Sequence, residues 1–125
     1  GNIWHVLIAK RRPGGVLGGF WEFPGGKIEA DEAPKECLVR EFMEELGIVV
    51  KVGEPLPAIE HTYPHGDVKI QPFYCTRLRH EPQDRQVVEH RWVPAVELCR
   101  FRFPPANQSL IESIRARFEN GKTVE

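Results

Sequence analysis

The sequence predicts an α/β fold from three observations. Strand-like runs rich in β-branched and aromatic residues recur along the chain, two amphipathic helical patterns interrupt them, and glycine- or proline-bearing turns separate the two kinds of element. The chain has 125 residues, 41% hydrophobic and 28% charged, enough for one substantial core, so residues 1–125 are expected to form a single domain. A net charge of −1 provides no basic field for a nucleic acid polymer or an anionic membrane, and a small ligand suits this balance better. Cys37, Cys75 and Cys99 are odd in number and form no Cys-x-x-Cys pair, which predicts buried reduced thiols and a cytoplasmic location. No apolar run reaches the roughly 18 residues that span a bilayer, and no signal-peptide pattern precedes the first strand. Gly1-Asn2 reads as the tail of a turn, so a further strand is expected upstream.

Trp4 to Ala9 alternates as a strand and ends at Lys10-Arg11-Arg12 and the Pro13-Gly14-Gly15 turn. Gly18-Gly19 closes that loop, Phe20 to Phe23 is a short extended piece, and Pro24-Gly25-Gly26 turns the chain sharply. A helix should follow, with Pro34 at its first position and Gly47 as its left-handed C-terminal residue. Ala33 is a poor N-cap, and losing a capping hydroxyl typically costs about 1 kcal/mol, so other contacts must hold this end. Strands are expected at Ile48 to Val52, Ala58 to Tyr63 and Val68 to Leu78, with Pro72 marking an edge or a bulge in the last. His80 to Val88 reads as a surface loop, Arg91 to Val93 as a short strand, and Pro94 as the start of a helical turn through Leu98. Leu110, Ile111, Ile114 and Phe118 share one face of a closing helix that stops at Gly121.

The chemistry concentrates in one stretch: Gly26, five residues, Glu32, seven residues, then Arg40-Glu41-Phe42-Met43-Glu44-Glu45-Leu46-Gly47-Ile48. Seven specified identities at fixed offsets arise by chance at roughly 10⁻⁸ per starting position, so coincidence is a poor explanation. On a helix Glu41, Glu44 and Glu45 stand at i, i+3 and i+4 along one strip. Two such charges about 5 Å apart repel by around 3 kcal/mol at an effective dielectric near 20, a cost that a divalent cation reverses. Oxygen ligands select magnesium or manganese, and magnesium commonly completes its octahedron with phosphate oxygens. Leu38, Phe42 and Leu46 form the opposite, apolar strip, and Arg40 is placed to orient Glu41. A Glu-rich helix face is ordinarily only solvated, but Gly25 and Gly26 permit the close backbone approach that a ligand needs.

Gly26 to Ile48 resembles the Nudix box at every defining position. Membership of the Nudix hydrolase family implies an α/β/α sandwich with a mixed sheet, hydrolysis of nucleoside diphosphates linked to another group, and dependence on Mg2+ or Mn2+. The resemblance further implies that Glu41, Glu44 and Glu45 ligate the metal and that Gly25 adds a backbone carbonyl. Lys10-Arg11-Arg12, Trp21 to Lys27 and Phe103-Pro104-Pro105-Ala106-Asn107 are similar to the MutT-type 8-oxo-dGTP diphosphatases, which sanitise nucleotide pools and so serve DNA replication and repair. That likeness implies that Asn107 reads the purine, Arg11 contacts the nucleotide, and Glu22, Phe23, Pro24 and Gly25 line the pocket. An asparagine amide offers a donor and an acceptor side by side and can discriminate a base edge by about 1–3 kcal/mol. Asn107 also suits a helix N-cap, and Phe20, Trp21 and Phe23 suit either core or pocket wall. His61 and His65 do not share a helix, because Pro64 and Gly66 intervene; zinc is disfavoured, and proximity to the nucleotide stays open.

The implied reaction converts a nucleoside triphosphate to its monophosphate and pyrophosphate, with a carboxylate accepting a proton from water. MutT-type enzymes draw an acid from the loop about six residues before the tryptophan of the late strand, where this chain has Gln86. Glu89 is the favoured replacement and Glu41 the alternative. Two rival readings remain open: a pyrophosphatase for pyrimidine triphosphates, which shares Trp21 to Lys27, and a non-catalytic Nudix-like module that recognises DNA lesions. The retained acids and the net charge of −1 weigh against the second. A monomer or weak homodimer is expected.

Overall fold

The computed structural model describes residues 5–15 and 17–119, and the side chains through Arg117. Seven strands and two helices run in the order β1 (His5–Lys10), β2 (Trp21–Glu22), α1 (Pro34–Leu46), β3 (Val49–Pro55), β4 (Ile59–Tyr63), β5 (Gly66–Ile70), β6 (Phe73–Arg79), β7 (Glu89–Pro94) and α2 (Gln108–Glu119). Short 3-10 helices at Ala95–Arg100 and Pro105–Asn107 connect β7 to α2. The expectations about Gly1, Asn2, Trp4 and the stop at Gly121 fall outside the described residues.

Strand β1 lies between β2 and β7, antiparallel to both, with Ala9 opposite Glu22 on one side and His90 on the other. Because side chains alternate, the two faces of this sheet carry different cores. Leu7 and Ala9 face α1 and pack with Phe42, Leu46, Ile48 and Val50. Ile8, Trp21 and Val93 face the other way and pack with Leu98, Phe103, Leu110, Ile111 and Ile114. The sheet therefore lies between α1 and α2, the layering of an α/β/α sandwich. Ladders β3–β6 and β4–β5 complete the described pairing, and both are antiparallel.

The expected strand Val68 to Leu78 is two strands in two different sheets. Pro72, which has no N–H to continue a ladder, separates them, and its carbonyl instead accepts the Leu56 N–H at 2.9 Å. Cys99 is exposed, unlike the buried Cys37 and half-buried Cys75, which corrects the expectation that all three thiols are buried.

Ala33 caps α1 without a side chain, yet Glu36 Oε1 accepts the Ala33 N–H at 2.8 Å and pins that end. The other end closes at Gly47, whose φ of 68° is left-handed and whose N–H reaches the Met43 carbonyl at 3.0 Å. A Cβ at Gly47 would lie 2.7 Å from Arg85 Nε. Gly47→Ala is therefore expected to cost about 1–2 kcal/mol of stability, read as a lower urea midpoint with an unchanged slope. An unchanged midpoint would mean that the left-handed cap is not under constraint.

Candidate active site

Helix α1 presents its acids toward β2 and the Pro24-Gly25-Gly26 turn, but not as one uniform strip. Glu45 is only 7% exposed, and its Oε1 is buried with no hydrogen-bond partner. Burial, the neighbouring Glu41 carboxyl and the charge of Glu22 push the Glu45 carboxyl up to about 9, opposed by a hydrogen bond from the Gly25 backbone. Glu22 is also raised, chiefly by burial, and Glu41 adds to the rise while Arg11 opposes it through an ion pair of 3.2 Å. Glu22, Glu41 and Glu45 thus form a group of carboxyls that burden one another electrostatically. Sequence reading assigned Glu22 to the nucleotide pocket alone; the pairing of Glu22 with Ala9, on the face that α1 covers, was the signal that adds it to this group.

Glu44 turns outward to Arg40, which holds it at 2.9 Å and Glu41 at 2.6 Å. The same guanidinium binds Glu32 at 2.7 Å and Glu29 at 3.1 Å. The hydrogen bonds from Arg40 hold Glu32 down at about 2, so this pair stays ionised. Arg40 therefore orients Glu41, as expected, and also ties the glycine-led loop to the helix.

Among the described residues, no three His, Cys, Asp or Glu side chains stand together as a ready ligand set for a metal ion. The donor chemistry nevertheless fits a divalent cation. Glu45 offers a buried oxygen without a partner, Glu41 stands next to it, and the backbone of Gly26 approaches so closely that a Cβ there would lie 2.4 Å from the Glu41 Cδ. Carboxylates forced together around an unpartnered oxygen are what a hard cation relieves. Gly25 has a φ of 158°, so the backbone at this position follows a path that side-chain-bearing residues avoid.

A cleft of about 1120 Å³ opens beside this group, bordered by Arg11, Glu22 to Gly26, Tyr63 and Asn107. Phe23 stacks on Phe103 with ring centroids 4.9 Å apart, whereas Trp21 is buried in the α2 core. Phe23 is thus part of the cleft wall and Trp21 part of the core. Asn107 closes the 3-10 turn Pro105–Asn107, and the extended capping position belongs to Pro104, with φ −59° and ψ 148°. Asn107 thus ends a 3-10 turn that runs directly into α2, and it lines the cleft.

Glu89 is not brought to this group. It pairs with Lys10 in β7, on the face opposite to the Ala9–Glu22 row, and its Oε2 accepts from Arg91 Nε at 3.1 Å. The Arg91 guanidinium in turn lies over Trp21 and Phe101, on the α2 side. Gln86 donates its backbone N–H to the Glu45 carbonyl at 3.2 Å, and the Arg85 N–H reaches the same carbonyl at 3.0 Å. The loop before β7 therefore steadies the backbone of Glu45 without supplying an acid at Gln86. His61 and His65 sandwich the Tyr63 ring, at 4.4 and 4.9 Å.

A model of the NUDIX domain matches residues 2–113. The chain belongs to the Nudix family. Among its relatives, an 8-oxo-dGTP diphosphatase of Escherichia coli is 30% identical, with 89% of this chain and 86% of that protein covered. A CTP pyrophosphohydrolase of the same organism is also 30% identical, with 89% and 82% covered. The solution structure of the E. coli ORF135 protein superposes with a TM-score of 0.80 at 27% identity, covering 97% of this chain and 86% of that one. The resemblance to MutT-type 8-oxo-dGTP diphosphatases therefore holds for the chain as a whole, and the chain is a Nudix hydrolase. No helix among the described residues is long and apolar enough to cross a membrane.

Proposed function

We propose that this Nudix hydrolase is a divalent-metal-dependent nucleoside triphosphate pyrophosphohydrolase that removes oxidised purine nucleotides, converting 8-oxo-dGTP to 8-oxo-dGMP and pyrophosphate. The observation that carries the reading is the position of the Glu22 to Gly26 segment. Its Glu22, Gly25 and Gly26 meet Glu41 and Glu45, and the same segment lines the cleft with Asn107. That arrangement supports a reading in which phosphate chemistry and base reading are joined across a single turn of chain.

Glu41, Glu44 and Glu45 would hold Mg2+ or Mn2+, with Gly25 contributing backbone, and Glu44 would exchange its contact with Arg40 for the cation. A divalent cation there would offset phosphate charge and acidify water. The chain's own contribution is positioning and proton transfer. Arg11 and the glycine turn hold the triphosphate, a water oxygen attacks phosphorus, the bridging P–O bond breaks, and pyrophosphate leaves. Glu41 is the preferred proton acceptor, since Arg40 orients it and Glu89 faces the other layer.

The pyrimidine reading retains specific support, because the CTP pyrophosphohydrolase relative matches at the same identity and span as the 8-oxo-dGTP diphosphatase. A panel comparing kcat/KM for 8-oxo-dGTP, dGTP, CTP and dCTP separates the two. Asn107→Ala is expected to reduce the preference for 8-oxo-dGTP over dGTP by about 10- to 150-fold, the worth of one bidentate base contact. Unchanged discrimination in that variant, or a wild-type preference for CTP, would remove the purine assignment.

A further inference from the structure

The turn that carries Asn107 is held by an unusual supply of backbone donors. Pro104 and Pro105 have no N–H, and the N–H of Asn107 is spent on the Pro104 carbonyl at 2.9 Å. Ala106 is therefore left with the one free donor of the turn, and it is buried, with 5% of its surface exposed. A buried N–H without a partner is costly, and here the partner comes from far away in sequence: the Tyr63 hydroxyl accepts it at 2.9 Å.

Tyr63 is itself firmly placed. It forms the last pair of the β4–β5 ladder, opposite Gly66, at the tip of the hairpin. Its ring is stacked against His65 at an interplanar angle of 15° and tilted against His61 at 57°. With two flanking rings fixing its plane, the phenolic oxygen has little freedom to leave the Ala106 N–H. Tyr63, Ala106 and Asn107 all border the cleft.

We infer that Tyr63 is a positioning residue for base selection: by accepting the Ala106 N–H, its hydroxyl fixes the Pro104–Asn107 turn and so sets where the Asn107 amide stands. The β4–β5 hairpin then acts as a strut that transmits its own position to the base-reading residue. This inference rests on the reading of Asn107 as the residue that meets the purine. It predicts that selectivity depends on one phenolic oxygen carried by the β4–β5 hairpin and not by α1.

Tyr63→Phe tests this, because it keeps the ring stack and deletes only the acceptor. The expected result is a five- to tenfold loss of 8-oxo-dGTP preference over dGTP, the worth of about one hydrogen bond. The loss should appear as a higher KM for 8-oxo-dGTP, with kcat changing less, since the phosphates are held elsewhere. Thermal melting checks that the variant is folded. In an Asn107→Ala background the same change should add less than about twofold, because Tyr63 acts through Asn107. Multiplying losses in the double variant would overturn the inference. Retained discrimination in Tyr63→Phe, beside a loss in Asn107→Ala, would overturn it and leave the purine reading standing. If Asn107→Ala discriminates as well as the wild type, both fall together.

Discussion

Glu45→Gln is expected to lower pyrophosphate release from a nucleoside triphosphate by about 10²- to 10³-fold, the size of effect seen when one preorganised electrostatic group is removed from an active site. The same variant should make the metal-free protein more stable at neutral and alkaline pH. Glu45 is buried with an unpartnered oxygen beside Glu41, and its carboxyl sits at about 9 instead of 4.5. A neutral amide of the same shape needs no proton to remain buried. Each kcal/mol so relieved would raise Tm by about 3–5 °C in a chain of this length. Stability gained together with activity lost distinguishes a functional acid from a structural one. Activity within about tenfold of wild type would remove Glu45 from the machinery, and a lower Tm at pH 8 would contradict the account of its burial.

The second large effect is the linkage between metal binding and protons. For Glu45 the folded-state value is raised, so the metal-free native state binds more protons than the unfolded chain between about pH 4.5 and about pH 9. Its contribution to stability is therefore fully present below about pH 4.5 and is lost as pH rises through about 9. Glu22 is shifted in the same direction, by burial above all, and adds the same sign. A cation that takes the carboxylate must displace that proton, so apparent Mg2+ affinity should rise with pH, by up to about tenfold per unit if one proton is released. Melting curves with and without EDTA, at about pH 6, 7.5 and 9, read this directly. The metal-free Tm should fall toward pH 9, and the increment produced by Mg2+ should grow over the same range. A Mg2+ increment independent of pH would mean that Glu45 is not the protonated ligand, and no increment at any pH would remove the metal assignment.

Much of this site was visible in residue order because its components are local. Glu41, Glu44 and Glu45 share a strip of α1 by helical periodicity alone, and Gly47 ends that helix as its left-handed conformation requires. Arg40 lies within the same helix as two of the acids it binds, so its orienting role followed from spacing. The Phe103 to Asn107 segment stood out through its resemblance to MutT-type proteins; its two consecutive prolines restrict the backbone but do not say what Asn107 meets.

The misreadings have equally definite causes. Val68 to Leu78 looked like one strand because alternation continues across Pro72, but the missing N–H allows the chain to leave one ladder and enter another. Glu89 looked like a replacement for the acid missing at Gln86, since proximity in sequence says nothing about which face of a strand a side chain takes. The register of Lys10 with Glu89 and of Ala9 with His90 decides that, and it sends Glu89 to the α2 side.

Residue order therefore sufficed for the α/β class, the family and the carboxylates of α1, because helical periodicity, proline and glycine act over a few residues. Only the tertiary structure revealed that Glu45 is buried while Glu44 turns out to Arg40, that Glu22 joins Glu41 and Glu45 from another strand, and that Tyr63 reaches across to Ala106. Those relations depend on strand register and on which layer covers which face, and both are set by burying the whole core at once rather than by any local stretch of chain.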